Sequence, residues 1–74
     1  MAIDFASLLT DDQKRGLLEQ RIAQFAAEGY QHQLNLEAAK AVDDENLLAS
    51  SARAIEDLSS AIESHQKELD KLGE

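Results

Sequence analysis

Residues 48–72 read LASSARAIEDLSSAIESHQKELDKL, and this stretch decides the fold. Large apolar residues recur in it every seven residues, at Leu48, Ile55, Ile62 and Leu69. The positions three residues after each of them hold Ser51, Leu58, His65 and Leu72. A seven-residue repeat of this kind predicts an α-helix that packs along one stripe, as in a coiled coil.

The flanks of this stripe are small or apolar, and they comprise Leu47, Ala52, Ala54, Ser59 and Ala61. A two-stranded coiled coil carries charges at such positions. The flanks therefore indicate contact with more than one neighbouring helix, and the charged residues collect on the opposite face.

A second helix is predicted upstream of this stretch. Thr10 and Gln13 match a capping box, and Asp11 and Asp12 suit a first helical turn. The main apolar stripe then contains Leu18, Ile22, Phe25, Ala26, Gly29 and Leu36. An adjoining stripe contains Ala23, Ala27, Tyr30, Leu34, Ala38 and Ala41, so the apolar surface is wider than one partner helix covers.

Gly29 lies near the middle of the main stripe and has two interpretations. It marks a hinge or a point where a neighbouring helix approaches closely, or it is an ordinary glycine that costs the helix up to about 1 kcal/mol. The sequence leaves the two open.

The two helices are separated by a break near residue 43. Asp43 is predicted as the N-cap of the second helix, with Asp44 and Glu45 in its first turn. This gives an apolar segment over residues 1–10 and a hairpin over 11–74, with helices at about 11–41 and 44–72. The alternative is one continuous helix, which exposes too much apolar surface unless several chains pair.

The chain is short for a protein that must form its own core. Its 74 residues include no cysteine, so neither disulfides nor a thiolate zinc site compensates for a core worth about 3–5 kcal/mol. We therefore predict an all-α antiparallel helical hairpin with coiled-coil-like packing that dimerises into a four-helix bundle. The predicted oligomer interface contains Leu18, Ile22, Phe25, Gly29, Leu36, Leu48, Ile55, Leu58, Ile62 and Leu69.

The charge balance limits the kinds of partner. The formal charge is −8, with 15 acidic and 7 basic residues. This disfavours direct binding of nucleic acid or an anionic membrane, since both require clustered Lys and Arg. The sequence has no signal-peptide pattern and no long apolar run, and it reads as a complete, cytoplasmic small protein.

Residues that could support catalysis or bind a metal are few. His32 and His65 lie on or beside the apolar stripes, and the Glu-x-x-His spacing of di-iron bundles is missing at both. With a turn near residue 43, His65 faces Gln20 and Arg21, while His32 faces Arg53. We predict no enzyme activity, metal or cofactor, and we interpret the histidines as polar residues that set register and make assembly pH-sensitive.

Two surfaces are candidates for binding another protein. Glu56, Glu63 and Asp70 repeat every seven residues along the outer face of the second helix. They form either a solvated face or an array that mimics DNA phosphates and blocks a nucleic-acid-binding protein of a host. Ile3, Phe5, Leu8 and Leu9 form either a docking peptide or a cover for the end of their own bundle.

Residues 9–25, LTDDQKRGLLEQRIAQF, and 28–35, EGYQHQLN, resemble small α-helical proteins of unassigned function from actinobacterial phages. This resemblance covers much of the chain and assigns no site residues. It implies an accessory or virion-assembly role in the bacterial host of a phage.

Overall fold

The computed structural model describes residues 2–73, and in this range the chain is helical with no strand. A short 3-10 helix, Phe5–Leu8, precedes two long α-helices, α1 at Asp11–Ala41 and α2 at Glu45–Leu72. The two long helices pack against each other as an antiparallel hairpin, 49 Å in its longest dimension. The predicted hairpin is confirmed. No helix among these residues is both long enough and apolar enough to cross a membrane.

The capping box predicted at the start of α1 is present. The Gln13 amide donates to Thr10 Oγ1 at 3.1 Å, and the Thr10 amide donates to Gln13 Oε1 at 2.9 Å. Each side chain thus satisfies a backbone donor that the first turn leaves without a partner. The start of α1 is therefore fixed by residues only three positions apart.

The turn between the helices differs from the sequence prediction at Asp43. Its φ of 54° lies in the left-handed region, and the N-cap of α2 is Asp44, whose Oδ1 accepts from the Leu47 amide at 3.0 Å. The Asp44 amide donates to Ala39 O at 3.0 Å, as in the Schellman motif that ends many helices. Asp43 was expected to cap α2, but it supplies the left-handed residue that ends α1.

A contact between the two helices shows the register of the hairpin. Arg21 Nε donates to His65 Nε2 at 3.1 Å, which confirms the prediction that His65 faces Arg21. The helices are antiparallel and rise equally per residue. Moving one residue up in number on α1 therefore corresponds to moving one residue down in number on α2. Gly29 therefore lies near the level of Leu58.

The hairpin encloses very little of its own surface. In the described part of the chain, the buried residues are Ala39 and Ser51, which are 1% and 2% exposed. Both side chains are small and lie near the turn. The large apolar side chains of the seam between α1 and α2 are partly buried, and each keeps some contact with solvent.

Candidate interaction surfaces

The seam between α1 and α2 contains every residue of the predicted oligomer interface. All ten are half-buried: Leu18, Ile22, Phe25, Gly29, Leu36, Leu48, Ile55, Leu58, Ile62 and Leu69. They follow the faces along which α1 and α2 pack. The stripe read from the sequence thus joins the two helices of one hairpin, and part of each residue stays accessible to solvent.

A polar cluster crosses this seam at His65. His65 Nδ1 lies 2.8 Å from Ala61 O, and a carbonyl oxygen can only accept, so Nδ1 carries the proton. Nε2 is then free to accept from Arg21, and both ring nitrogens are engaged.

Phe25 completes this cluster. Its ring meets the imidazole edge-on, with centroids 5.2 Å apart and planes at 77°, and the Arg21 guanidinium carbon lies 5.3 Å from the Phe25 centroid. These contacts fix the imidazole and orient α2 relative to α1. Residues 2–73 contain no group of three His, Cys, Asp or Glu side chains placed to hold a metal ion.

Gly29 opens a groove along the seam. A Cβ built at this position has no heavy atom within 4 Å, so the close approach of a neighbouring helix does not occur within the hairpin. That interpretation of Gly29 is wrong for the packing of α1 on α2, and α1 continues through the residue without a break. The groove measures about 190 Å³, and its lining includes Phe25, Leu58 and Ile62.

The outer side of α1 carries the second apolar stripe anticipated from the sequence. Its six residues are exposed: Ala23, Ala27, Tyr30, Leu34, Ala38 and Ala41. By helical spacing most of them lie roughly opposite the seam, and Tyr30 is the nearest of the six to it. Tyr30 and Leu34 are 62% and 52% exposed, which is high for large apolar side chains. α1 thus has apolar residues on two sides, whereas α2 has a single apolar face.

The N-terminal segment does not cover the end of the hairpin. Ile3, Phe5 and Leu8 are 64–70% exposed, and only Leu9 is half-buried. The segment is ordered locally, since Asp4 Oδ1 accepts from the Ala6 amide at 3.2 Å and the Ser7 hydroxyl donates to Asp4 O at 2.7 Å. Its apolar side chains face solvent in a short, locally braced turn.

The acidic side of α2 is fully accessible. Glu56, Glu63 and Asp70 are exposed, and none of them takes part in the ion pairs found within residues 2–73. The intervening basic residues are Arg53, Lys67 and Lys71, of which Lys71 pairs with Glu68 at 3.2 Å.

Sequence reasoning missed two surface features. One is the Gly29 groove, because residue spacing does not report how far apart two helices stand. The other is an open hollow of about 500 Å³ at the turn, lined by Ala39, Lys40, Asp43, Asp44, Glu45 and Leu48. Neither feature is indicated by the spacing of residues in the sequence.

No protein-family model, curated protein or solved structure matches this chain.

Proposed function

We propose that this chain is a non-enzymatic protein that acts through protein–protein contacts and associates with itself, two hairpins forming a four-helix bundle. The observation that carries the proposal is the seam between α1 and α2, whose large apolar side chains are only partly buried. Among the described residues, Ala39 and Ser51 alone are buried, although α1 and α2 are packed along most of their lengths. A second hairpin would cover the part of the seam that one hairpin leaves open.

The energetics support the same proposal. Full burial of a Leu, Ile or Phe side chain stabilises by about 1.5–3 kcal/mol, and half-buried side chains gain only part of this. Chains of this size rarely gain more than about 3–5 kcal/mol from one core. Burying the rest of the seam at an interface between copies is the remaining large source of stability, because the chain has no cysteine for a disulfide.

The exposed N-terminal segment supports contact with a different protein as well. Ile3, Phe5 and Leu8 form an apolar patch outside the hairpin, and such a segment suits the groove of a partner. The setting we propose is an accessory or virion-assembly process of an actinobacterial phage in the bacterial cytoplasm, as the sequence resemblance implies.

The experiment for self-association is size-exclusion chromatography with light scattering, combined with melting curves at several chain concentrations. We expect a mass twice the 8.1 kDa of one chain. The melting temperature should rise with concentration, because association stabilises the folded state by mass action. A stable, strongly helical monomer at micromolar concentration would contradict the proposal.

A second candidate function is an acidic inhibitor that occupies the basic site of a nucleic-acid-binding protein. It is favoured by Glu56, Glu63 and Asp70, which are exposed and outside the ion pairs of the described residues. It is weakened by Arg53 and Lys67, which interrupt the array. If this candidate is correct, a triple variant should no longer bind the nucleic-acid-binding protein in low salt. It combines Glu56→Gln, Glu63→Gln and Asp70→Asn. Binding that survives these changes would eliminate the candidate.

A further inference from the structure

The Gly29 groove is an open depression along the seam between α1 and α2. Its volume is about 190 Å³, and a Cβ at residue 29 would meet no atom within 4 Å. An apolar cavity of about 150 Å³ in another protein accommodates benzene, so this groove has room for an aromatic ring. It is floored by large apolar side chains from both helices, including Phe25, Leu58 and Ile62.

Tyr30 lies at the rim of the same groove and leaves it unfilled. It lines the groove, yet it is 62% exposed, so most of its ring faces solvent. A tyrosine has a large apolar face and a hydroxyl that needs a polar partner, which suits it to interfaces. Gln33 and Ser59 also line the groove and offer polar atoms to a hydroxyl.

We propose that Tyr30 of a second copy of this chain fills the Gly29 groove, and that the first copy's Tyr30 fills the groove of the second. This deepens the self-association proposed above and rests on it. A two-fold dimer requires a self-complementary patch, and an aromatic side chain beside a hole of its own size meets that requirement. Gly29 is then the residue that makes room for the partner copy.

The area of this face matches what a stable dimer needs. α1 has 31 residues, and a helix of that length is about 46 Å long and about 10 Å across. A face two helices wide therefore presents about 900 Å², which reaches the roughly 800 Å² per partner of stable interfaces. The outer side of α1 by itself presents about half of that.

Charge favours the groove as the point of contact between two copies. Each copy carries a formal charge of −8, so two copies repel wherever acidic residues meet. The nine residues that line the groove include none with a charged side chain. By helical spacing, the other broad face of the hairpin carries the Arg21–His65 pair. Within the groove itself a second copy therefore desolvates no charged side chain, while Glu19 and Glu37 lie beyond it on the same side of α1.

The test measures the dimer dissociation constant of the full chain by sedimentation equilibrium, with two pairs of variants. Gly29→Leu fills the groove from within, and Gly16→Leu is its control, because a Cβ at Gly16 also has open space and leaves the groove unchanged. Tyr30→Ala removes the ring, and Leu34→Ala is its control one turn further on. We expect Gly29→Leu and Tyr30→Ala to weaken the dimer about ten-fold or more, and the controls by less than about three-fold.

A cross-link provides a second measurement, which locates the side chain of residue 30 directly instead of measuring affinity. Tyr30 is replaced by the photoreactive benzoylphenylalanine, and isotope-labelled and unlabelled chains are mixed before irradiation. We expect mixed-label cross-links to groove residues such as Leu58 or Ser59 of the other copy.

The outcomes distinguish the two proposals. Two results would overturn the assignment of Tyr30 to the groove and leave self-association standing. One is that Tyr30→Ala and Leu34→Ala weaken the dimer equally while Gly29→Leu leaves it unaffected. The other is cross-links to residues outside the groove. A monomeric wild-type chain would overturn both.

Discussion

Arg21 Nε donates to Nε2 of His65 at 3.1 Å, and this hydrogen bond joins residues 44 positions apart in the chain. The second imidazole nitrogen is held by Ala61 O, and Phe25 packs edge-on against the ring. A polar residue in an apolar seam is thus tied to both helices. The pair is compatible with one register of α1 on α2, because sliding either helix by one turn would break it.

The first prediction concerns the state of His65. At pH 8 we expect its neutral ring to carry the proton on Nδ1, because Nε2 accepts from Arg21 and Nδ1 donates to a carbonyl. Long-range nitrogen–proton NMR correlations report this tautomer directly. In Arg21→Ala the preference for the Nδ1-protonated ring should weaken, since the hydrogen bond from Arg21 to Nε2 is removed. A ring protonated on Nε2 in the unmodified chain would contradict the observed geometry.

The second prediction concerns the left-handed residue of the turn. Asp43→Gly should raise the free energy of unfolding by about 0.5–1 kcal/mol, because glycine adopts positive φ without steric cost. Urea unfolding measures the change. Asp43→Asn is the control, since it removes the charge but keeps a side chain that tolerates this conformation. Equal stabilisation by both variants would identify the charge, and not the backbone, as the cause.

The neighbouring aspartate should respond in the opposite direction. Asp44 accepts from the Leu47 amide at 3.0 Å, so Asp44→Ala should lower the free energy of unfolding by about 1 kcal/mol. Thermal unfolding followed by circular dichroism measures this at one fixed chain concentration. A neutral Asp44→Ala would show that water replaces the cap without loss.

The fourth prediction concerns the most buried part of the hairpin. Ala39 is 1% exposed and also lines the open hollow at the turn. Ala39→Leu should destabilise by about 1–3 kcal/mol if the larger side chain presses on α2 instead of entering the hollow. Ala49→Leu is the matched control on the exposed side of α2. If both substitutions are tolerated equally, the helices near the turn separate more easily than their packing indicates.

The last prediction separates the N-terminal segment from the hairpin. Phe5 is 70% exposed, so Phe5→Ala should change the free energy of unfolding by less than about 0.5 kcal/mol. Leu9→Ala, at a half-buried position, should cost more. All variants are compared at the same concentration, because association contributes to stability. A loss above about 1 kcal/mol for Phe5→Ala would show that the segment packs on its own hairpin or on a second copy.

Local signals in the sequence predicted some features correctly and others not. The capping box at Thr10 and Gln13 was readable because both partners lie within one turn. The cap of α2 was assigned one residue early, since three consecutive acidic residues all satisfy cap chemistry. Only the path of the backbone, with Asp43 at positive φ, decides among them.

The candidate surfaces divide in the same way. The seven-residue repeat correctly predicted the half-buried stripe of α2, and the antiparallel register followed from the position of the turn. The Gly29 groove did not follow, because a glycine at helical spacing is compatible with both a close contact and a hole. The exposed N-terminal segment was also not predictable, since apolar residues in sequence do not reveal whether an end of the hairpin is within reach.

The sequence by itself determined two helices, their caps to within a residue, and the side of each that faces the other. These depend on interactions between residues three, four or seven positions apart, which the order of residues records directly. Only the tertiary structure decided the left-handed Asp43, the engagement of both His65 nitrogens, and the hole beside Tyr30. Each of these depends on the distance and path between segments far apart in the chain, and helical periodicity contains no information about that separation.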